Sequence, residues 1–268
     1  MEEVIIKDMH PLVHDAKNKK SQLKFMERQR RTKKENKKFG EHFFDFLMVF
    51  LAVFLGFLAE NVREYIVDRN REKDYAHSLI NDLKEDDKTL KDDIRNNAEL
   101  IADYGELLHE IKYPSSNHVN KLYYYFIPTN YYNVFLPVQR TIQQLESSGS
   151  FRLFKDVNIS DSIASYYNNV RNTVDQGSTY IRYFDYYHSV SSQVFSYAQV
   201  DSFFYSSKQI LSLPYPLALK TKDPQLIDLL YSKVFILKFI LENNYENELT
   251  HLDKQALSMI SLLKKKYS

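Results

Sequence analysis

Fourteen consecutive residues, Phe46 to Ala59, carry no polar side chain and are bracketed by Asp45 and Glu60. At about 1.5 Å per residue the run reaches roughly 21 Å as a helix, and Phe43 and Phe44 extend it to roughly 25 Å, against a bilayer core of about 30 Å. Length alone leaves the assignment open, so composition decides it. Strongly apolar residues contribute roughly −0.3 to −0.6 kcal/mol each, which outweighs one Asp near the interface. Lys37, Lys38 and Arg63 can snorkel to the headgroups, and local thinning absorbs the remaining mismatch. The anchor residues are Phe46, Leu47, Phe50, Leu51, Phe54, Leu55, Phe57 and Leu58. A buried core helix is the alternative, but a helix with Phe on every face has no polar side to offer water. A cleaved signal peptide fits less well, because about forty residues precede the run and no small-x-small site follows it cleanly.

Only one segment of the 268 residues is apolar enough to span, so the sequence predicts a single-pass protein rather than a channel or transporter. Five Gly and seven Pro are too few for a hairpin-rich β fold, and they point to long helices. The absence of Cys removes disulfide and thiolate chemistry.

The net charge of +1 conceals an asymmetry. Eleven Lys or Arg lie between Lys17 and Lys38, against Glu27 and Glu35, in a block with little apolar content: a solvated tail or a weak helix. Eight of these cations fall in the twenty residues before Phe44, among them Arg30, Arg31, Lys33, Lys34, Lys37 and Lys38, whereas Glu60 to Leu79 holds four. This bias predicts a cytoplasmic tail (1–41), a transmembrane helix (42–60) and an extracytoplasmic, periplasmic domain (61–268). Such cations also attract anionic lipid. Contact with nucleic acid is the other reading, and no aromatic platform or known motif supports it.

The helical signal continues past the anchor. No Pro occurs from Glu60 to Lys112, and Ile80, Leu83, Leu90, Ile94, Ile101, Tyr104, Leu108 and Ile111 form a heptad-like seam interrupted by Asp87 and Asn97. A helix of that length is expected to bend or break somewhere. Tyr113-Pro114 ends it. Residues 118 to 136, dense in aromatics, resist assignment. Pro137 then suits the first turn of a short helix with Val138, Ile142 and Leu145, stopping at Ser147-Ser148-Gly149. Phe151 to Ile159 reads as a connector, and Ser160-Asp161 as the start of a helix with Ile163, Tyr167, Val170, Val174, Gly177, Ile181, Phe184, His188, Ser191, Phe195 and Ala198 on one stripe. Asp223-Pro224 opens the last helix, with a stripe from Leu226 through Leu230, Leu237, Leu241, Leu249, Leu252 and Ile260 to Leu263, and Lys264 to Lys266 suit its C-terminal dipole. The fold class is therefore all-α: a transmembrane helix running into an extracytoplasmic bundle of about four helices, because single-seam helices must pack together.

The basic tail, the anchor followed by Ala59-Glu60-Asn61-Val62-Arg63-Glu64, and the later Leu145-Glu-Ser-Ser-Gly149-Ser-Phe-Arg-Leu153 and Ile163-Ala-Ser-Tyr166-Tyr167 together resemble an uncharacterised family of bacterial single-pass inner-membrane proteins common in Bacteroidetes. The likeness covers most of residues 42 to 170 and is one of layout. It implies a helical domain outside the inner membrane. It implies no activity and no functional residues.

Signatures of chemistry are missing: no Gly-rich phosphate loop, no Gly-x-Ser-x-Gly, no His-Glu-x-x-His. His109-Glu110 lacks the second His of a zincin helix, and His10 and His14 flank Pro11 in a polar tail. No cofactor or metal is expected. Glu85, Asp86, Asp87, Asp92 and Asp93 could serve a divalent cation. Lys84, Lys88 and Lys91 intervene, so a solvated helix face is the expectation, with Asp87 on the seam needing a partner. His188 on its stripe offers pH-sensitive packing, beside the plainer reading of a buried neutral imidazole. Tyr166, Tyr167, Tyr180, Tyr183, Tyr186, Tyr187, Tyr197 and Tyr205 read as core and interface packing, with sugar or partner stacking as the alternative. The expected function is a non-enzymatic, membrane-anchored helical module for protein interaction or ligand sensing, its partners being the bilayer and a protein or second copy bound through the seams. An enzyme with an unrecognised helical site, or a scaffold subunit, are the alternatives.

Overall fold

A computed structural model describes residues 10–203 and 207–267, with backbone alone for 10–22 and 29–41. The side chains of His10, His14, Arg30, Arg31, Lys33, Lys34, Lys37 and Lys38, and all of Tyr205, lie outside the described residues. Among those described there is no strand. The described residues form six α-helices joined by short 3-10 turns, irregular segments and one π turn: α1 (His10–Lys112), α2 (His118–Phe126), α3 (Arg140–Ser147), α4 (Val157–Val194), α5 (Pro224–Ile240) and α6 (Glu246–Tyr267). The chain divides into two units, Met1–Asp68 and Arg69–Ser268.

In the first unit, helical turns begin at His10, so the basic block has helical backbone rather than the irregular course of a solvated tail. Among the described residues one helix is long and apolar enough to cross a membrane, and none of its apolar window is buried. Phe46, Phe50, Leu51, Phe54, Leu55, Phe57 and Leu58 are exposed, and Leu47 is partly so. Phe46, Phe50 and Phe54 stack in succession at i, i+4 spacing, with centroids 6.3 and 6.0 Å apart. Among the described residues, no side chain of this unit buries the run, which favours the spanning reading over a buried core helix.

The second unit is built on three helical lengths: α1 from Arg69 onward, α4, and α5 continued by α6. Hydrogen bonding in α1 runs to Lys112 without the expected break. It ends at Tyr113-Pro114 as predicted, where Asn117 takes a left-handed φ of 60° before α2. Asp223 caps α5, its side chain accepting from the Gln225 N–H, with Pro224 in the first turn. Between α5 and α6 the chain makes a π turn at Leu241–Tyr245. Apolar steps of four at Leu237, Leu241, Tyr245 and Leu249 would drift by about 40° each around an α-helix. The wider turn takes up that drift, so all four stay buried.

Two helix starts differ from expectation. α3 begins at Arg140 rather than near Pro137: Asp82 Oδ2 on α1 accepts from the Thr141 N–H of its first turn at 3.0 Å, and Asp86 Oδ1 holds the Val138 N–H ahead of the helix at 2.8 Å. α4 begins at Val157 rather than Ser160, because Asp156 accepts from Asn158 N–H and is itself paired with Lys266 at 3.0 Å. α4 also stops at Val194, before Ala198.

Candidate functional site

In the middle of the packed length of α1 and in the second half of α4, the better-buried of two neighbouring rows is the one that carries polar side chains. Asp86 and Asp93 are buried on α1 while Asp87, Ile94 and Ile101 lie only partly covered, and Thr173, Tyr180 and Tyr187 are buried on α4 while Val174 and Ile181 are partly covered and His188 is exposed. The expectation of a solvated acidic face is corrected at Asp86 and Asp93. Tyr166 OH donates to Asp86 Oδ2 at 2.7 Å, Asn133 donates to Asp93 Oδ1 at 2.8 Å, and Tyr267 OH donates to Glu72 Oε1 at 2.6 Å, so these carboxylates are taken up by tyrosines and amides inside the bundle. Tyr104 and Tyr180 meet at 3.3 Å, and Tyr187 donates to Thr129, whose own hydroxyl donates to Phe126 O. Asp87 has found a partner in Lys91 at 2.7 Å. The placement of His188 on the buried stripe is likewise corrected. Its ring is exposed, with Nε2 3.0 Å from Tyr197 OH, so it does not pack in the core.

This interior sets a pH dependence. Burial pushes the Asp86 carboxyl up to about 6 against the pull of Val138 N–H and Tyr166 OH, with Asp82 and Glu85 acting in the same upward sense. Burial, then Glu99 and Glu106, takes Asp103 to about 6 as well. An acid that holds its proton more tightly when folded stabilises the fold fully below its unfolded pKa, near 3.8, and that stabilisation is lost as pH rises through about 6. For fully buried Asp86 the difference is about 3 kcal/mol. The melting temperature is therefore expected to fall between about pH 4.5 and about pH 7, and less steeply in Asp86→Asn. Parallel pH profiles for the two proteins would show that Asp86 is not responsible.

Two concavities stand apart from this core. One is an open cleft of about 450 Å³ holding Glu99 and Asp103 from adjacent turns of α1 opposite Tyr131, Tyr132 and Asn133. Its one serine, Ser207, has no imidazole among the lining residues to act as its base, and no group of three or more His, Asp or Glu among the described residues is placed to hold a metal.

The other is an apolar pocket of about 500 Å³ among the ends of α1, α2 and α4, the start of α5 and the 216–222 segment. All but three lining residues are apolar, the exceptions being His118, Thr221 and Lys222. The 216–222 wall is held by side chains rather than by a sheet or helix. Asn120 on α2 is fully buried; its Nδ2 donates to Ile210 O and Tyr215 O, and its Oδ1 accepts from Leu217 N–H at 2.7 Å. Tyr123 OH donates to Ala218 O at 2.9 Å while accepting from Ser196 N–H, and Gln199 both donates to Ala218 O and accepts from its N–H. Lys220 N–H donates to Val194 O. At the rim, His118 Nδ1 lies 2.9 Å from Glu110, which also accepts from the N–H and hydroxyl of Ser115. Burial opposes the Glu110 charge, but the Ser115 N–H, His118 and the Ser115 hydroxyl outweigh it and hold its carboxyl below the usual range. Ser115 faces the carboxylate and not the imidazole, so the cluster is not a nucleophile and base pair.

Sequence reasoning missed this pocket, because its wall depends on Asn120 reaching a segment about ninety-five residues away. Of the predicted buried tyrosines, Tyr166, Tyr167, Tyr180 and Tyr187 are in the core, whereas Tyr183 and Tyr186 are exposed. Comparisons with protein-family models, with curated proteins and with solved structures gave no significant match.

Proposed function

We propose that the chain is a single-pass membrane anchor carrying a helical domain that senses a small ligand or binds a protein partner, without catalysing a reaction. The carrying observation is the pairing of an exposed apolar run at Phe46–Ala59 with a helical unit that holds a concavity lined almost wholly by apolar side chains. The cation bias around the run orients the basic tail to the cytoplasm and the helical domain to the periplasm of a bacterial inner membrane, in keeping with the layout resemblance. The partners on this reading are the bilayer and either a second protein or a second copy; nucleic acid is not among them.

The test is protease protection on the chain in an inner membrane. Protease added at the external face is expected to digest the domain after Glu60 and to spare the tail. Digestion of the tail alone would invert the orientation. Cross-linking in the same membranes, followed by identification of neighbours, would name a protein partner.

A further inference from the structure

We infer that the pocket between α2, α4 and the 216–222 segment receives an anionic amphiphile: a molecule with a single negatively charged head and an apolar tail of fatty-acid size. The inference deepens the sensing role proposed above. Three observations carry it. The volume, about 500 Å³, lies in the range of small-molecule sites and is far too small for a helix of a partner. The walls, including Leu122, Phe195, Leu217 and Leu230, offer a tail apolar contact and almost no hydrogen bonding. Lys222 is the one lining residue whose side chain is a fixed cation, and it forms no hydrogen bond or ion pair among the described residues.

The neighbouring cations are already engaged, Lys220 Nζ with Ser192 O at 2.8 Å and Lys121 Nζ with Ser115 Oγ at 2.8 Å. The Thr221 hydroxyl accepts from Asp223 N–H, and its own proton is left to donate to a head group beside Lys222. Two negative charges lie close by: Glu110 is taken up by His118 and Ser115, Asp223 caps α5 by accepting from Gln225 N–H, and neither is among the lining residues. The pocket thus presents a tail-binding interior and one positive point at its rim, which is the complement of a carboxylate or phosphate amphiphile and not of a neutral or cationic one.

The full chain in phosphatidylcholine nanodiscs is labelled with a photoreactive medium-chain fatty acid added from water, with the corresponding alcohol, or with photoreactive phosphatidylglycerol built into the disc. Cross-linked peptides are then mapped. The fatty acid or the anionic phospholipid is expected to label the peptides around 111–122 and 216–230 well above the alcohol, and Lys222→Glu to lower that labelling about ten-fold, the loss of one charge-assisted contact. The melting temperature of that exposed-site variant is expected to match the wild type. Labelling of the pocket by the fatty acid identifies a free acid as the source of the head, and labelling by the phospholipid alone identifies a lipid; either supports the inference. Labelling confined to 46–59, equal labelling by the alcohol, or no effect of Lys222→Glu overturns it. Incorporation of the chain into the disc is scored separately, so a failure of anchoring is distinguishable from an empty pocket.

Discussion

Arginine at both Leu51 and Leu55 is expected to move the chain from the carbonate-resistant membrane fraction to the soluble or aggregated fraction. The run contains eleven strongly apolar residues, which together favour insertion by roughly 3 to 7 kcal/mol. Each mid-span Arg costs roughly 2.5 to 3.5 kcal/mol and also removes the contribution of the Leu it replaces. Two of them cost roughly 6 to 8 kcal/mol in total, enough to reverse the sign of insertion, while a single one leaves the balance close to zero. Both positions are exposed in the folded chain, at 39% and 59%, so the substitutions break no packing within the protein. Leu229→Arg, on the exposed side of α5, serves as the control and should not change the partition. Retention of the double variant in washed membranes, or a wild-type chain that stays soluble and monomeric without detergent, would remove the anchor.

The features that could be read from the sequence were those decided within a few residues. The apolar run, the stop at Tyr113-Pro114, the Asp223-Pro224 start and the basic last turn of α6 all depend on neighbours in the chain. So does the Asp156 cap, a signal present in the sequence but passed over in favour of Ser160-Asp161.

The buried rows of α1 and α4 are a different case. In a heptad pattern one row is fixed, here through Leu83, Leu90, Asn97 and Tyr104 on α1 and Ile163, Val170, Gly177 and Phe184 on α4. The second row then lies either three or four residues on. Ranking by apolarity selects Ile94, Ile101, Val174 and Ile181, at four. The fold buries Asp86, Asp93, Thr173, Tyr180 and Tyr187, at three. The reason is pairing: Asp86 meets Tyr166 and Tyr104 meets Tyr180 between the two helices, and Thr129 in the turn after α2 meets Tyr187, so partners from elsewhere in the chain make each polar row tolerable inside. A helix read alone holds only part of this, in Leu79, Leu100 and Leu107 on the same row of α1 as Asp86 and Asp93. His188 was misplaced by the same one-residue choice, since it is the neighbour of buried Tyr187. The pocket was invisible for a related reason, as its wall is an irregular segment without apolar periodicity.

That wall makes Asn120 the position where one substitution should do most harm in the second unit. Asn120→Leu preserves approximate volume and stays apolar, yet it strips the partners from Leu217 N–H, Ile210 O and Tyr215 O. Leaving a buried backbone group unpaired costs roughly 1 to 3 kcal/mol, so the two at buried Leu217 and Ile210 are expected to cost roughly 2 to 6 kcal/mol, a large part of the roughly 5 to 15 kcal/mol that holds a domain folded, while Tyr215, an exposed residue, adds little. Asn120→Asp discriminates between the contributions. It keeps an acceptor for Leu217 N–H but sets a carboxylate against two carbonyl oxygens, so it should be destabilised at neutral pH and partly recover as acid protonates it. Thermal melts of both variants, with hydrogen exchange over residues 210–222, would separate local release of the wall from global unfolding. Release of the wall alone should abolish photolabelling of the pocket while leaving the contacts of Asp86 with Tyr166 and Val138 in place. A fully stable Asn120→Leu protein would mean that the 216–222 segment is held by Tyr123 and Gln199 without the amide.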